Sequence, residues 1–471
     1  MPRIGHLTVP PTPLRERALR YTGRGVTIAM LDAGFSAHPD LTQPTSRILA
    51  YYDATGEGDT FEASTVEARW HGTQTSVVAA GNGWLSGGTY AGIACDASVV
   101  LVKVGRDNDV AEAHMAEAFR WVLAHRETYG IRVVNVSVTT GDDRPYEQDE
   151  VDRLAEEAVR QGIVVVAAAG NLLGRVPFPP SNAPSVITVG GYYDLDPSRP
   201  LYDACAGLTA DQLLKPELIA PSAGIAAPIL LGTPQEAAAQ ALMDIVEAPP
   251  DILAQVVAAR GSAAGLPEGL EFAGSDEIAR VVSEEFAASK CIARYYQHAE
   301  GTSFSAPIVA SVVAQMLEVS PHLQPDGIRQ LLIGSADRLA NAPWLRQGYG
   351  VLDARRAVEF AGREQHPGHG TRGRPPAIDN ESLVFVYHDD EAFSVEVAGD
   401  FNDWRGSRAP CTQEAPSMWV ARVPAPAAGT YAYKFLVDGT RWVDDPANGH
   451  KAPDPYGGTH SLVSMRGGED G

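Results

Sequence analysis

The sequence predicts an α/β chain in which a doubly wound, mostly parallel sheet carries a helical insertion and is followed by a small all-β sandwich. Three observations lead to that fold class. Short β-branched apolar runs alternate with amphipathic helical stretches from about residue 24 to 190; residues 225–298 turn Ala- and Glu-rich; and residues 381–465 become short alternating strands separated by turns. Continuously apolar strands must be covered on both faces, as in a parallel sheet, whereas alternation with turns marks an antiparallel one.

In order, the strand VTIAMLD ends in Asp32, and a helix is expected after His71. SVVLVKV, IRVVNVSV, IVVVAAAGN and SVITVGG supply further strands, with helices at AEAHMAEAFRWVLAHR and EQDEVDRLAEEAVRQG between them. The insertion predicts helices near 234–247, 250–260 and 275–288, and carries 4 basic against 10 acidic residues. APIVASVVAQMLEVS and PDGIRQLLIGSA are amphipathic and close the layer, so the first domain spans 1–362. Residues 363–380, rich in Gly, Pro and Arg, read as a linker. SLVFVYH, FSVEVAGDF, MWVARVP, TYAYKFLVDG and TRWVDD then build an immunoglobulin-like sandwich over 381–465, with a tail at 466–471.

Composition narrows the function. A chain of 471 residues exceeds what one core usually covers. With 37 basic and 59 acidic residues the net charge is −22, which repels a phosphate backbone or an anionic membrane, so neither nucleic acid nor membrane is an expected partner. No run is read as long enough for a bilayer span, and the opening residues lack an apolar secretory core. Only about 25 residues precede the first strand, too few for a long propeptide. Cys95, Cys205, Cys291 and Cys411 are widely spaced without a CxxC pair, as expected of free thiols in a reducing compartment. A cytoplasmic location follows as an expectation.

Three segments carry chemistry. Asp32 stands at a strand's carboxyl end, where open α/β sheets place their crevice. His71, in WHGTQTSVVAAGNG, is placed at a helix start, and Ser303, in EGTSFSAPIVA, precedes a helix that Pro307 enters early. Singly these read as a turn acid, a structural histidine and a capping serine. Jointly, Asp, His and Ser in that chain order on a parallel sheet match one of three known orders of the hydrolytic triad.

Through LDAG with HPDL, HGT, AAGN and GTSFSAP, residues 24 to about 360 resemble the subtilisin-like serine proteases, the subtilases of peptidase S8 type. VPFPPSNAPSVITVGG, KPELIAP and GYGVLDARRAV extend the likeness. The resemblance implies a serine endopeptidase working through an acyl-enzyme, with Ser303 as nucleophile, His71 as base and Asp32 orienting it. Asn171 and the Ser303 backbone N–H would form the oxyanion hole. A polypeptide substrate would add as a strand between Val104–Asp109 and Ser137–Thr140, contacting Ser137, Val138 and Thr139. Asp107 and Asp109 would favour basic side chains there. Thr139 and Thr140 replace glycines of the family and narrow the first pocket, while Ser222 and Thr75 are departures expected at the rim. The insertion, lying just before the nucleophile, is expected to act as a lid or exosite. No cofactor is required for the chemistry; Asp40 occupies a position where relatives often bind calcium, but a full ligand set cannot be matched and the metal content is left open.

FSVEVAGDFNDWRG, TYAYKFLVDGTRWVDDP and YGGTHSLV resemble the glycogen-binding modules of the AMP-activated kinase β-subunit and of starch-branching enzymes. That likeness implies Trp404, Lys434 and Trp442 as sugar contacts, although Gly457 and Ser461 replace the leucine and asparagine of good binders. The module would therefore hold a glucan or a partner protein. Two other readings compete with a general endopeptidase: a catalytically impaired glucan-anchored scaffold, and a dedicated processing protease for one polypeptide.

Overall fold

The computed structural model describes residues 21–465 except 107–108, 195–200, 340–341, 364–370, 380–381, 390–391, 416–417, 449 and 456–457. Its first strands are β1 (Thr27–Asp32), β2 (Ile48–Asp53), β3 (Ser98–Lys103), β4 (Ile131–Val136), β5 (Val164–Ala168) and β6 (Ile187–Tyr192). A two-stranded ladder of β7 (Gly207–Leu208) and β8 (Leu214–Lys215) precedes β9 (Leu218–Pro221). All but β7 and β8 join one parallel sheet in the order β2–β3–β1–β4–β5–β6–β9.

From β1 the chain runs out to the edge strand β2, returns to insert β3 between β2 and β1, and then crosses to lay β4 on the other side of β1. The carboxyl ends of β1, β3 and β4 therefore border the topological switch, where such sheets open a crevice. β1 is buried along its whole length because its side chains feed two cores. Ile28 and Met30 face the helix Thr302–Val319, and Ala29 and Leu31 face Met115, Phe119 and Val122 of the helix Glu112–Tyr129.

Two details of the first domain differ from the sequence reading. The helix containing His71 begins at Val66, because Thr65 caps it by accepting the Ala68 N–H, so His71 sits in its second turn rather than at its start. The helix Thr302–Val319 is long and apolar enough to cross a bilayer by length and composition, a property the sequence reading did not register. It is 83% buried against the sheet, which accounts for its hydrophobicity.

The insertion forms three helices, Pro234–Val246, Leu253–Arg260 and Ser275–Ala288, close to the expected spans. Leu242, Ile245, Val257, Ile278 and Val282 give it a core of its own. It is carried on a three-stranded antiparallel sheet of β10 (Ile225–Pro228), β11 (Cys291–Ala293) and β12 (Tyr296–Ala299). That sheet is fastened to the His71 helix, where Gln74 Nε2 donates to the Pro228 carbonyl at 2.8 Å.

In the carboxy-terminal unit, part of the expected linker is strand: β13 (Thr371–Asp379) pairs with β14 (Ser382–His388). An edge position tolerates its two prolines. The following strands are β15 (Val395–Gly399), β16 (Thr412–Ala415), β17 (Met418–Pro424), β18 (Gly429–Val437), β19 (Arg441–Val443), β20 (Lys451–Pro453) and β21 (Thr459–Met465). They form two antiparallel sheets, β13–β14–β17–β16 and β15–β18–β21–β20 with β19 on β18. Alternate residues Leu383, Phe385 and Tyr387 meet Tyr433, Phe435 and Val437 between them.

This unit rests on the helix Pro325–Ser335. Gly334 permits the contact, since a Cβ there would stand 1.9 Å from the Thr440 carbonyl oxygen. Gly334→Val is therefore expected to unseat the sandwich at a cost of about 1–3 kcal/mol or more, read in calorimetry as a separate, earlier unfolding transition. A single transition unchanged from the parent would contradict the contact.

Candidate active site

Asp32, His71 and Ser303 converge on the crevice at the switch point. Asp32 ends β1 and is 0% exposed. Its Oδ1 accepts a hydrogen bond from His71 Nδ1 at 2.6 Å and from the Ala33 N–H at 2.7 Å, and its Oδ2 accepts from the Thr75 hydroxyl at 2.8 Å. The motif HGT explains how the helix comes this close. A Cβ on Gly72 would lie 2.3 Å from the Gly34 carbonyl oxygen and 2.9 Å from Asp32 Cβ, so only glycine fits. The Thr73 hydroxyl accepts the Ser36 N–H at 2.8 Å and pins the loop that leaves β1.

Ser303 lies in the first turn of its helix, 9% exposed, with the adjacent Phe304 ring 6.0 Å from that of His71. Its hydroxyl donates to the Ser137 carbonyl at 3.0 Å, while the Ser137 hydroxyl donates to the Ser303 carbonyl at 2.9 Å. Asn135 Nδ2 supports the pair by donating to Ser137 Oγ at 2.9 Å. His71, Ser303, Asp109, Ser137, Val138 and Thr139 line one polar crevice of about 470 Å³. Asp107 lies outside the described residues. Thr140, also in the crevice lining, donates to the Val110 carbonyl at 2.9 Å and so ties the segment just after Asp109 to Ser137–Thr140.

Burial pulls the His71 pKa down, but the charge of Asp32 and its hydrogen bond push it up, and the net result is above the ordinary histidine value. Asn171 is exposed after the segment that follows β5. Its Oδ1 accepts the Thr302 N–H at 2.9 Å and the Thr302 hydroxyl at 3.0 Å, which leaves Nδ2 without a partner among the described residues. Gly301, at φ 127°, makes room for that amide, since a Cβ there would approach Asn171 Nδ2 to 3.2 Å. A larger groove of 540 Å³ on the insertion, bordered by Ile252, Val256 and Arg260, contains neither histidine nor serine.

Three expectations need correction. Thr75 and Ser222 are not rim residues. Both are fully buried, Thr75 on Asp32 and Ser222 on Ser305 Oγ at 2.6 Å. No insertion residue lines the candidate crevice among the described residues, so the insertion does not form its wall as a closed lid would. What sequence reasoning missed are the role of Thr302 in holding Asn171 and that of Thr75; the signal for the last was its position one helical turn after His71.

The calcium implied at Asp40 does not fit. Its carboxylate already accepts the Leu85 N–H at 3.1 Å and the Tyr296 hydroxyl at 2.7 Å. The carbonyls around it are taken by Arg47, whose guanidinium donates to Asp40 O at 2.6 Å, Ala80 O at 2.5 Å and Ala97 O at 2.8 Å. A cationic side chain thus fills the place of a cation. No group of three or more His, Cys, Asp or Glu suited to a metal occurs among the described residues.

In the sandwich, Trp404 and Trp442 come together at 6.3 Å, but Trp442 also faces Tyr349 of the first domain at 6.3 Å. Lys434 is buried, with Nζ donating to Asp454 Oδ2 at 2.7 Å. Lys434 and Trp442 line a cavity of 390 Å³ whose other wall is Asp326, Gly327, Gln330 and Leu331 of the first domain. Two of the expected sugar residues thus border a space shared between domains, and Trp404 stands next to Trp442 without lining it. Gly457 lies outside the described residues, and Ser461 is buried and accepts the Asp445 N–H.

A family model described as the subtilase family matches residues 23–350, and one described as carbohydrate-binding module 48 (isoamylase N-terminal domain) matches 373–457. The chain is 27% identical over 350 residues to serine protease AprX of Bacillus subtilis strain 168, covering 72% of this chain and 67% of that protein. It is 29% identical over 153 residues to the major intracellular serine protease of the same organism, with 32% and 44% covered. Subtilisin BL of Lederbergia lenta is 31% identical over 155 residues, with 32% and 49% covered, so the chain spans about half the length of these last two. Among solved structures a protease from Pseudoalteromonas arctica shares the fold, with a TM-score of 0.50 at 19% identity, covering 76% of this chain and 96% of that one.

Gly72→Ala is expected to push the helix off β1 and cut kcat at least tenfold while the protein stays folded, as read by peptide hydrolysis beside circular dichroism; undiminished turnover would contradict the close approach. Excess calcium or a chelator is expected to leave the melting midpoint unchanged, whereas Tyr296→Phe lowers stability by about 1.5–3 kcal/mol. A midpoint that rises with calcium would overturn the Arg47 account.

Proposed function

Because the chain belongs to the subtilase family, we propose that it is a serine endopeptidase in which Ser303 is the nucleophile, His71 the base and Asp32 its orienting acid. The 2.6 Å bond from His71 Nδ1 to Asp32, in the same crevice as the Ser303 hydroxyl, carries this reading. Held through Nδ1, the imidazole turns Nε2 toward the crevice as a neutral base.

A substrate strand pairing with Ser137–Thr139 brings a peptide N–H to the Ser137 carbonyl, the acceptor that otherwise holds the Ser303 hydroxyl. Released, the hydroxyl attacks the scissile carbonyl: the Oγ–C bond forms and its proton passes to His71. The tetrahedral intermediate collapses as the C–N bond breaks and His71 returns the proton to the leaving amine. Water then repeats the sequence on the acyl-enzyme, with His71 again taking and returning one proton. The oxyanion is met by Asn171 Nδ2, kept available because Thr302 occupies the amide oxygen, and by the Ser303 backbone N–H.

The polypeptide is the substrate in this reading, and no cofactor enters any step. The carboxy-terminal module is an accessory element for glucan or protein, with Trp404, half-buried and outside the cavity shared with the first domain, as its contact. A cytoplasmic location is consistent with the four cysteines, all free thiols.

Labelling by a fluorophosphonate is expected in the parent and absent in Ser303→Ala; labelling that survives the substitution would place the nucleophile elsewhere. Asn171→Ala is expected to lower kcat about 10²–10³-fold, the loss already known for such donors. Because His71 must be neutral and its pKa is raised, kcat/KM should climb with pH through a midpoint above the usual histidine value. A profile flat from pH 5 to 9 would rule out His71 as the base.

A further inference from the structure

The carboxylate of Asp32 is held from two sides. Oδ1 takes both nitrogen donors, His71 Nδ1 and the Ala33 N–H, and among the described residues Oδ2 takes only the Thr75 hydroxyl, at 2.8 Å. The group is 0% exposed, so water has no access to replace a lost donor. Residue 33 is alanine and brings no hydroxyl of its own. Thr75 stands four residues after His71 on one helix, which puts the two side chains on the same face, over the same carboxylate. Its hydroxyl has a second acceptor in the Gly72 carbonyl at 3.1 Å, which keeps it oriented within the helix.

We propose that Thr75 is a positioning residue of the triad: its hydroxyl fixes the plane of the Asp32 carboxylate so that Oδ1 meets His71 Nδ1. The inference rests on the assignment of His71 as base. Thr75 acts through Asp32 and does not line the crevice. Two consequences follow. Without the hydroxyl the carboxylate is free to turn about its own axis, and the imidazole loses the fixed partner that sets its tautomer. The hydroxyl also disperses part of the carboxylate's charge. Its loss leaves that charge to the imidazolium, which becomes harder to deprotonate. Among the described residues the charged groups about His71 are Asp32, hydrogen-bonded to it, and Asp109, which lines the same crevice; changing Thr75 acts on the first and leaves the second as it is.

The test compares the parent, Thr75→Val and Thr75→Ser in kcat and KM for a peptide amide from pH 5 to 9, with the low-field proton resonance of His71 Nδ1–H and the melting midpoint measured on the same proteins. Thr75→Val keeps the shape and removes the donor. It is expected to lower kcat about tenfold or more with little change in KM, to move the acid limb upward, and to shift or broaden the low-field proton. Thr75→Ser should restore all three. The proposal is overturned if Thr75→Val matches the parent in kcat, acid limb and proton resonance, or if Thr75→Val changes only the melting midpoint. An active parent with an unaffected Thr75→Val overturns this inference alone. A parent that neither hydrolyses peptides nor takes a fluorophosphonate overturns the protease reading, and this inference with it.

Discussion

The buried charge of Asp32 is the constraint around which the first domain is arranged. A carboxylate without access to water is tolerated only when its oxygens are met by donors, and here the donors come from separate pieces of the chain: the backbone just past β1, the imidazole of His71 and the hydroxyl of Thr75. Supplying the last two requires a helix pressed onto the end of β1, which requires Gly72, because any side chain there would meet the Gly34 carbonyl. The HGT motif is thus a packing solution as much as a catalytic one.

Ser303, the proposed nucleophile, is placed by a second set of contacts from the other side of the switch point. Ser137, just beyond β4, exchanges hydrogen bonds with Ser303 in both directions, and Thr302 fastens the loop carrying Asn171. Asp32, His71, Ser303 and Asn171, the groups assigned to the proposed chemistry, are therefore held by β1, β4, the loop beyond β5 and two helices that pack on one sheet. Small shifts between those elements would separate the groups, and a densely packed interior resists such shifts. The near-complete burial of the Ser303 helix serves that end.

Outside the crevice, side chains do work that the resemblance assigned to other agents. Arg47 gathers three carbonyls beside Asp40, and Tyr296 of the insertion's base reaches the Asp40 carboxylate. The insertion is thereby tied to the first domain on the flank of the His71 helix, away from the crevice lining. The sandwich turns Trp442 and Lys434 toward the helix Pro325–Ser335, so surfaces that the glycogen-binding likeness implied for sugar face, in part, the neighbouring domain. Polar groups lining such a shared space are constrained by both walls, which limits how a carbohydrate could approach them.

Periodicity and motif determined much by themselves. Uninterrupted apolar runs alternating with amphipathic stretches pointed to a two-sided parallel sheet, the Ala- and Glu-rich stretch to helix, and LDAG, HGT and GTSFSAP to the three side chains that share the crevice region, because these are local properties of the chain. Tertiary structure alone decided the rest. That Thr75 reaches Asp32, that Arg47 sits among carbonyls, that a Gly- and Pro-rich segment is drawn into β13, and that Trp442 meets Tyr349 are outcomes of contacts between residues distant in sequence. A hydroxyl or guanidinium carries no mark of its partner; burial selects that partner by making every unsatisfied polar group costly.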